Sequence, residues 1–404
     1  MRVLSALTLL FSILIGGPLA AQEGFRTETV DDRPWSYSDV HFLDVLTYLP
    51  PEDWEDAWMA TRNGARLSVG SVRTNEFYLD HRIKMEADYG KWLRFRFQVF
   101  QMEDFDSRFT RILSGGDIDL TDRVTVGAFT TLLPNKEQMD IGYFLGYVVD
   151  RTNYLSLSFL QVDALFNEKS ESNDRLTGSP YTLKLQGSLR PVDNWVFSFR
   201  VGRDFPLRLE FGDDGFDFRH QKYFYRSRLS GKLSDRWAMV MRLEGENGTR
   251  ERDYDLAGNP DEMEQERDHF RFRWEFTHEL RKRLTATIGF DYFYLYEATL
   301  FVNDPAETER ILFREATVFG ALRIPLPFTE RSSFLPSLYV SRFDDDDQFP
   351  NDRGRTDEQV GIRTKLGTAI DYVVSDRARL LLNATFRLDR FKFGGGNVQA
   401  MFTF

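Results

Sequence analysis

Ten basic residues recur at alternate positions within stretches otherwise rich in apolar and aromatic side chains. They are Arg94 and Arg96 in WLRFRFQVF, Arg200 in WVFSFRVG, Lys222, Arg226 and Arg228 in QKYFYRSRL, Arg271 and Arg273 in FRFRWEF, and Arg363 and Lys365 in GIRTKLG. Cationic groups on one wall beside water concentrate anions, and guanidinium grips carboxylate or phosphate through paired N–H donors. Acidic residues at corresponding positions are fewer, namely Asp80, Glu86, Asp140, Glu244 and Glu275. Such a set serves either as a conduit for anionic or polyhydroxylated solutes or as cross-strand ion pairs that stiffen a wall. The residue types admit both.

Other chemistry finds little support. Of five histidines, His220 and His269 fall near Asp217 and Asp268, but no nucleophile–base pair follows from their spacing. The run Asp344–Asp347 gathers hard oxygens without the Gly and terminal Glu of an ordered calcium loop. It reads better as a solvated loop, bridged to lipid phosphates by divalent cations. The chain has no cysteine, which removes disulfides, thiolate zinc sites, iron–sulfur clusters and covalent c-type haem. No catalytic residue, metal ligand or cofactor-binding residue is assigned, and a non-enzyme is expected. The formal net charge is −11, or −12 once Arg2 is removed, which argues against nucleic acid as a partner.

Alternation of this kind requires strands. In WLRFRFQVF, Leu93, Phe95, Phe97 and Val99 oppose Arg94, Arg96 and Gln98; in LTATIGFDYFYLY, Leu284, Ala286, Ile288, Phe290, Tyr292 and Tyr294 oppose Thr285, Thr287, Gly289 and Asp291. Only a period of two separates these sets. About eighteen such segments run from 65–72 to 396–404, with sixteen as an alternative count, most of them long enough to cross a bilayer when tilted. Every other junction is short and alike: DYGKW, LTDRV, VDRTNY, PVDNW, LSDRW, LRKRL, TERSSF and VSDRA. Asp, Ser, Thr and Asn there bond to turn backbone. The alternate junctions are longer and acidic, as at 166–179, 246–268 and 344–358. An up-and-down antiparallel meander is predicted.

The first residues carry Arg2, an apolar run from Val3 to Ile15 and small residues at Ala20 and Ala21, the anatomy of a secretory signal peptide over 1–21. Residues 22–63 form a separate N-terminal segment expected in the periplasm, either short helices or a plug. Residues 64–404 form the β domain. A closed barrel pairs every backbone group and needs apolar residues on one face only, which reconciles a mean hydropathy of −0.43 with membrane insertion. Trp92, Trp195 and Trp237, each reopening a strand after a short turn, are expected in an interface girdle.

The last strand, NVQAMFTF, ends on Phe404 with Phe402 two residues before it. With the strand pattern, this resembles the bacterial outer-membrane β-barrel superfamily, which includes porins and large-barrel exporters. The family often carries a Gly further upstream in that strand, where this chain has Gln399, with Gly394–Gly396 ahead of it. The resemblance implies a transmembrane barrel with short periplasmic turns, longer extracellular loops, both termini periplasmic, and an outer-membrane location. It further implies Phe402 and Phe404 as the signal read by the barrel-assembly machinery. Expected partners are outer-membrane lipid and lipopolysaccharide, with a periplasmic protein or a second copy of the chain. The function expected first is a porin-like channel for hydrophilic, anionic solutes. The alternatives are an export conduit for polysaccharide or another polymer, and a barrel sheathing a partner such as an electron-transfer cytochrome.

Overall fold

The computed structural model describes residues 64–69, 79–89, 93–103, 108–131, 141–149, 153–161, 175–178, 181–192, 194–211, 216–256, 259–301, 308–327, 332–349, 355–375, 377–389 and 391–403. The signal peptide, the 22–63 segment, Trp92, Asp140 and Phe404 lie outside the described residues. The strands are β1 (Gly64–Val69), β2 (Leu79–Tyr89), β3 (Leu93–Glu103), β4 (Arg108–Asp119), β5 (Val124–Thr131), β6 (Ile141–Val148), β7 (Tyr154–Gln161), β8 (Arg175–Gly178), β9 (Tyr181–Val192) and β10 (Trp195–Phe211). They continue as β11 (Phe216–Lys232), β12 (Trp237–Leu256), β13 (Asn259–Arg281), β14 (Leu284–Phe301), β15 (Glu309–Pro325), β16 (Ser333–Phe349), β17 (Arg355–Ser375), β18 (Ala378–Arg387) and β19 (Lys392–Thr403).

Consecutive strands pair antiparallel except at β8, which pairs with β10 while β7 pairs with β9. β8 and β9 both pair with β10, through Arg208↔Gly178 and Asp204↔Thr182, so they share one position in the wall. The nineteen segments therefore make eighteen wall positions. β1 pairs with β2 from Gly64↔Lys84 to Val69↔Leu79 and with β19 from Gly64↔Thr403 to Val69↔Val398. The first strand thus joins the last, and among the described residues the pairings close into a ring.

The outer face carries what lipid requires. Ile288, Val318, Val340 and Ile362 on four consecutive strands all point outward and are exposed, Ile362 at 69%. An apolar group so uncovered is unfavourable in water and favourable against acyl chains. Among the described residues no helix is long and apolar enough to cross a membrane.

The short junctions behave as their side chains dictate. Thr121 Oγ1 accepts hydrogen bonds from Arg123 N (3.2 Å) and Val124 N (3.0 Å). Ser234 Oγ accepts from Arg236 N and Ser375 Oγ from Arg377 N. All eight expected junctions fall at the same end of the barrel, which is also the end where Gly64 and Thr403 meet. At the opposite end all three expected loops contain paired strand, the first of them β8 within 166–179. Strand β12 continues to Leu256 and β13 begins at Asn259, so most of 246–268 is paired strand, as is 344–349 in β16. The reason is physical: above the bilayer both faces are wet, so the apolar–polar alternation disappears while the ladder persists.

Candidate functional site

Register places all ten sequence-selected basic residues on one face. Arg94 pairs with Asp117, and the same face runs through Gly127, Phe144 and Ser158 to Lys184. It continues through Gly202 and Phe224 to Glu246, carrying Arg200 on β10 and Lys222, Arg226 and Arg228 on β11. Glu244 then pairs with Arg271, Arg273 with Asp291, and Ser341 with Arg363, with Lys365 two residues on. Arg96 lies on this face by register, as does Glu86 opposite it. The face is the inner one, since its strand neighbours are the exposed apolar residues described above.

The inner charges divide into two environments. Across β11 to β14 a continuous chain links Arg226–Glu244 (2.8 Å), Glu244–Arg271 (3.8 Å), Arg271–Asp291 (2.6 Å), Asp291–Arg273 (3.7 Å), Arg273–Glu275 (2.5 Å) and Glu275–Arg242 (4.0 Å). Arg271 holds Asp291 bidentately, with Nε 3.0 Å and Nη2 2.6 Å from the two carboxylate oxygens, and Asp291 is fully buried. Lys222 pairs with Glu246 at 3.1 Å, Arg94 with Asp117 at 3.1 Å, and Asp371 is held by both Arg323 and Arg379. Arg363 lies over the Phe343 ring at 3.7 Å. By contrast Arg226 remains 46% exposed, and Arg200, in register with it, is exposed and has no ion-pair partner among the described residues. Arg271, Arg273 and Lys365 are buried. Cross-strand pairing thus extends over β11–β14, and Arg200 on β10 is left exposed without an ion-pair partner among the described residues.

Sequence reading missed several inner residues. The carboxylates Asp117, Glu246, Glu315 and Asp371 also face inward, as do the basic residues Lys184, Arg242, Arg323 and Arg379, so the inner face carries more charge of both signs than the alternation suggested. Aromatics occupy the inner face too. A Cβ added to Gly289 would lie 2.3 Å from the Phe319 ring, and one added to Gly202 would lie 2.2 Å from Phe224. The same close approach joins Gly127 with Phe144, Gly142 with Phe129 and Gly361 with Phe343. Each ring occupies the space that a side chain at the glycine of the neighbouring strand would fill. Glycine opposite phenylalanine is the only signal, and it is visible once register is known.

The remaining candidates do not assemble into a site. His269 faces inward against Phe293, whereas Asp268 points outward to Asn247. His220 pairs across from Arg250 and His269 from Glu246, on strands separated by β12. The four aspartates Asp344–Asp347 alternate faces within β16 instead of converging, and no metal-holding cluster occurs among the described residues. Trp195 and Trp237 both lie on the outer face at the short-turn end, with Trp237 stacked on His278 at 4.3 Å. Phe402, at 48% exposed, lies on the outer face of the closing strand.

No protein-family model and no curated protein matches the sequence. Similar solved structures include OccAB3 of Acinetobacter baumannii, at 8% identity over 85% of this chain and 98% of that one, with a TM-score of 0.45. OprD of Pseudomonas aeruginosa follows at 9% identity over 84% and 91%, TM-score 0.43, and the translocator domain of NalP from Neisseria meningitidis at 9% over 85% and 87%, TM-score 0.31. Likeness at this level carries no inference about function. The chain's own closed antiparallel ring, apolar outside and polar within, gives it the up-and-down fold of the bacterial outer-membrane β-barrel superfamily.

Proposed function

We propose that the protein is an outer-membrane channel that passes hydrophilic, anionic solutes through a polar lumen, without covalent chemistry. Barrels of sixteen to eighteen strands are wide enough to leave an aqueous passage. The short-turn end, with Gly64 and Thr403, faces the periplasm in this reading, and the β12–β13 and β16–β17 extensions rise outside the cell.

The observation that supports the anion preference is Arg200 on β10, exposed and without an ion-pair partner among the described residues, beside Arg226 on β11, which stays 46% exposed while pairing with Glu244. Buried, paired arginines have their charge answered by carboxylates, whereas guanidinium groups open to lumen water raise the local anion concentration. The ten residues Arg94, Arg96, Arg200, Lys222, Arg226, Arg228, Arg271, Arg273, Arg363 and Lys365 thus take different roles, with Arg200 and Arg226 facing solute and Arg271 and Arg273 holding the wall.

Liposome swelling with size-matched sugars tests this. The protein should admit gluconate faster than glucose, and glucose faster than glucosamine. Arg200→Glu combined with Arg226→Glu should reverse that order. Folded protein that admits none of the three would sink the channel, and a cationic preference in the unmodified protein would sink the assigned role of the two arginines.

A further inference from the structure

On the outer wall, we infer that Arg342 and Arg314 form a binding site for the phosphate of an outer-leaflet glycolipid. The inference rests on the outer-membrane reading above and concerns a face of the barrel that solute never meets.

The outer apolar surface of β15 and β16 stops at one height. Going up β16, the outward residues are Leu338, Val340 and then Arg342, all exposed. On β15 they are Val318, Ala316 and then Arg314, whose side chain is 49% exposed. Register aligns Tyr292, Ala316 and Arg342 across three strands, and Tyr294, Arg314 and Asp344 one step above. Two tyrosines beside two arginines, immediately above an apolar band, mark the level of lipid headgroups. This edge belongs to the end opposite the short turns, hence to the outer leaflet.

The charges there are incompletely answered by protein. Among the described residues Arg342 has no ion-pair or hydrogen-bond partner. Arg314 approaches Asp344 only to 3.9 Å, the far limit of an ion pair. Arg342 and Arg314 stand diagonally across a strand pair, with Cβ atoms about 7–8 Å apart by sheet geometry. Side chains of that length reach one phosphate between them, and guanidinium matches phosphate oxygens bidentately. Arg314 shares its charge with Asp344, so Arg342 is the principal ligand. An anion bound here also removes the penalty of an unpaired cation at the edge of the hydrocarbon.

The test uses the full-length mature chain, purified in detergent and heat-modifiable on gels. Retention of lipopolysaccharide after detergent washing is compared for the unmodified protein, Arg342→Gln with Arg314→Gln, Arg342→Lys, and Arg236→Gln in a short turn. The double variant should retain about tenfold less. Arg342→Lys, which keeps the charge but not the bidentate geometry, should fall between the unmodified protein and the double variant. Arg236→Gln should keep all of the binding, and dephosphorylated lipopolysaccharide should bind the unmodified protein as weakly as intact lipopolysaccharide binds the double variant. Equal retention by all four proteins, or equal retention of both lipids, would overturn the site. A double variant that fails to refold is replaced by Arg342→Gln alone, read against the same limits. A chain that stays soluble without detergent would instead refute the outer-membrane reading.

Discussion

At the scale of single residues, burial decides which charges matter for the fold and which for solute. Asp291 is fully buried and gripped bidentately by Arg271, with Arg273 3.7 Å away. Removing it leaves two buried guanidinium groups without their shared anion, a change that costs about 3–5 kcal/mol. Asp346, whose pair with Arg310 is 3.5 Å long and partly exposed, is worth no more than about 1 kcal/mol. Urea unfolding in detergent should therefore show a large loss of stability for Asp291→Ala and a small one for Asp346→Ala. Similar losses for both would mean that water reaches the β13–β14 inner wall as freely as the outer rim. The sequence alone showed that Arg271 and Arg273 share a face, but not that Asp291 lies between them, because the pairing of β13 with β14 had to be known first.

Among the elements, strands were legible wherever one face meets lipid and the other does not. The segment WLRFRFQVF lies in β3 and LTATIGFDYFYLY in β14, each with the predicted face outward. Legibility failed in two places for opposite reasons. In β12, β13 and β16 the upper strands are charged on both faces, because both are solvated, so they read as loops. In β16 both faces are apolar over one stretch, with Leu338 and Val340 outward and Leu335 and Tyr339 inward, so the pattern did not reveal which face holds the buried residues. Turn chemistry was more transparent, but one turn is strained. Arg283 closes the two-residue β13–β14 connection with φ of 69°, a region that suits glycine. Arg283→Gly should relieve the left-handed backbone strain and raise stability by about 0.5–1 kcal/mol in the same urea assay, less the added freedom of the unfolded chain. A clear loss of stability would show that the arginine side chain contributes there.

For the whole molecule, closure links all of these features. Eighteen wall positions joined by the β1–β19 pairing satisfy the backbone without water, so the outer surface can be apolar while the inner surface stays charged. On the inner surface ion pairs run from β11 to β14, while Arg200 on β10 is exposed without an ion-pair partner among the described residues. In the proposed channel, current through one molecule reports the charge that this surface presents to solute. Single-channel recording in a planar bilayer under a potassium chloride gradient is the direct measurement. The expected result is a steady conductance with a reversal potential on the anion-selective side, moving toward cation selectivity in Arg200→Glu with Arg226→Glu. Folded, heat-modifiable protein that conducts no current, or conducts with cation selectivity untouched by those two substitutions, would contradict it.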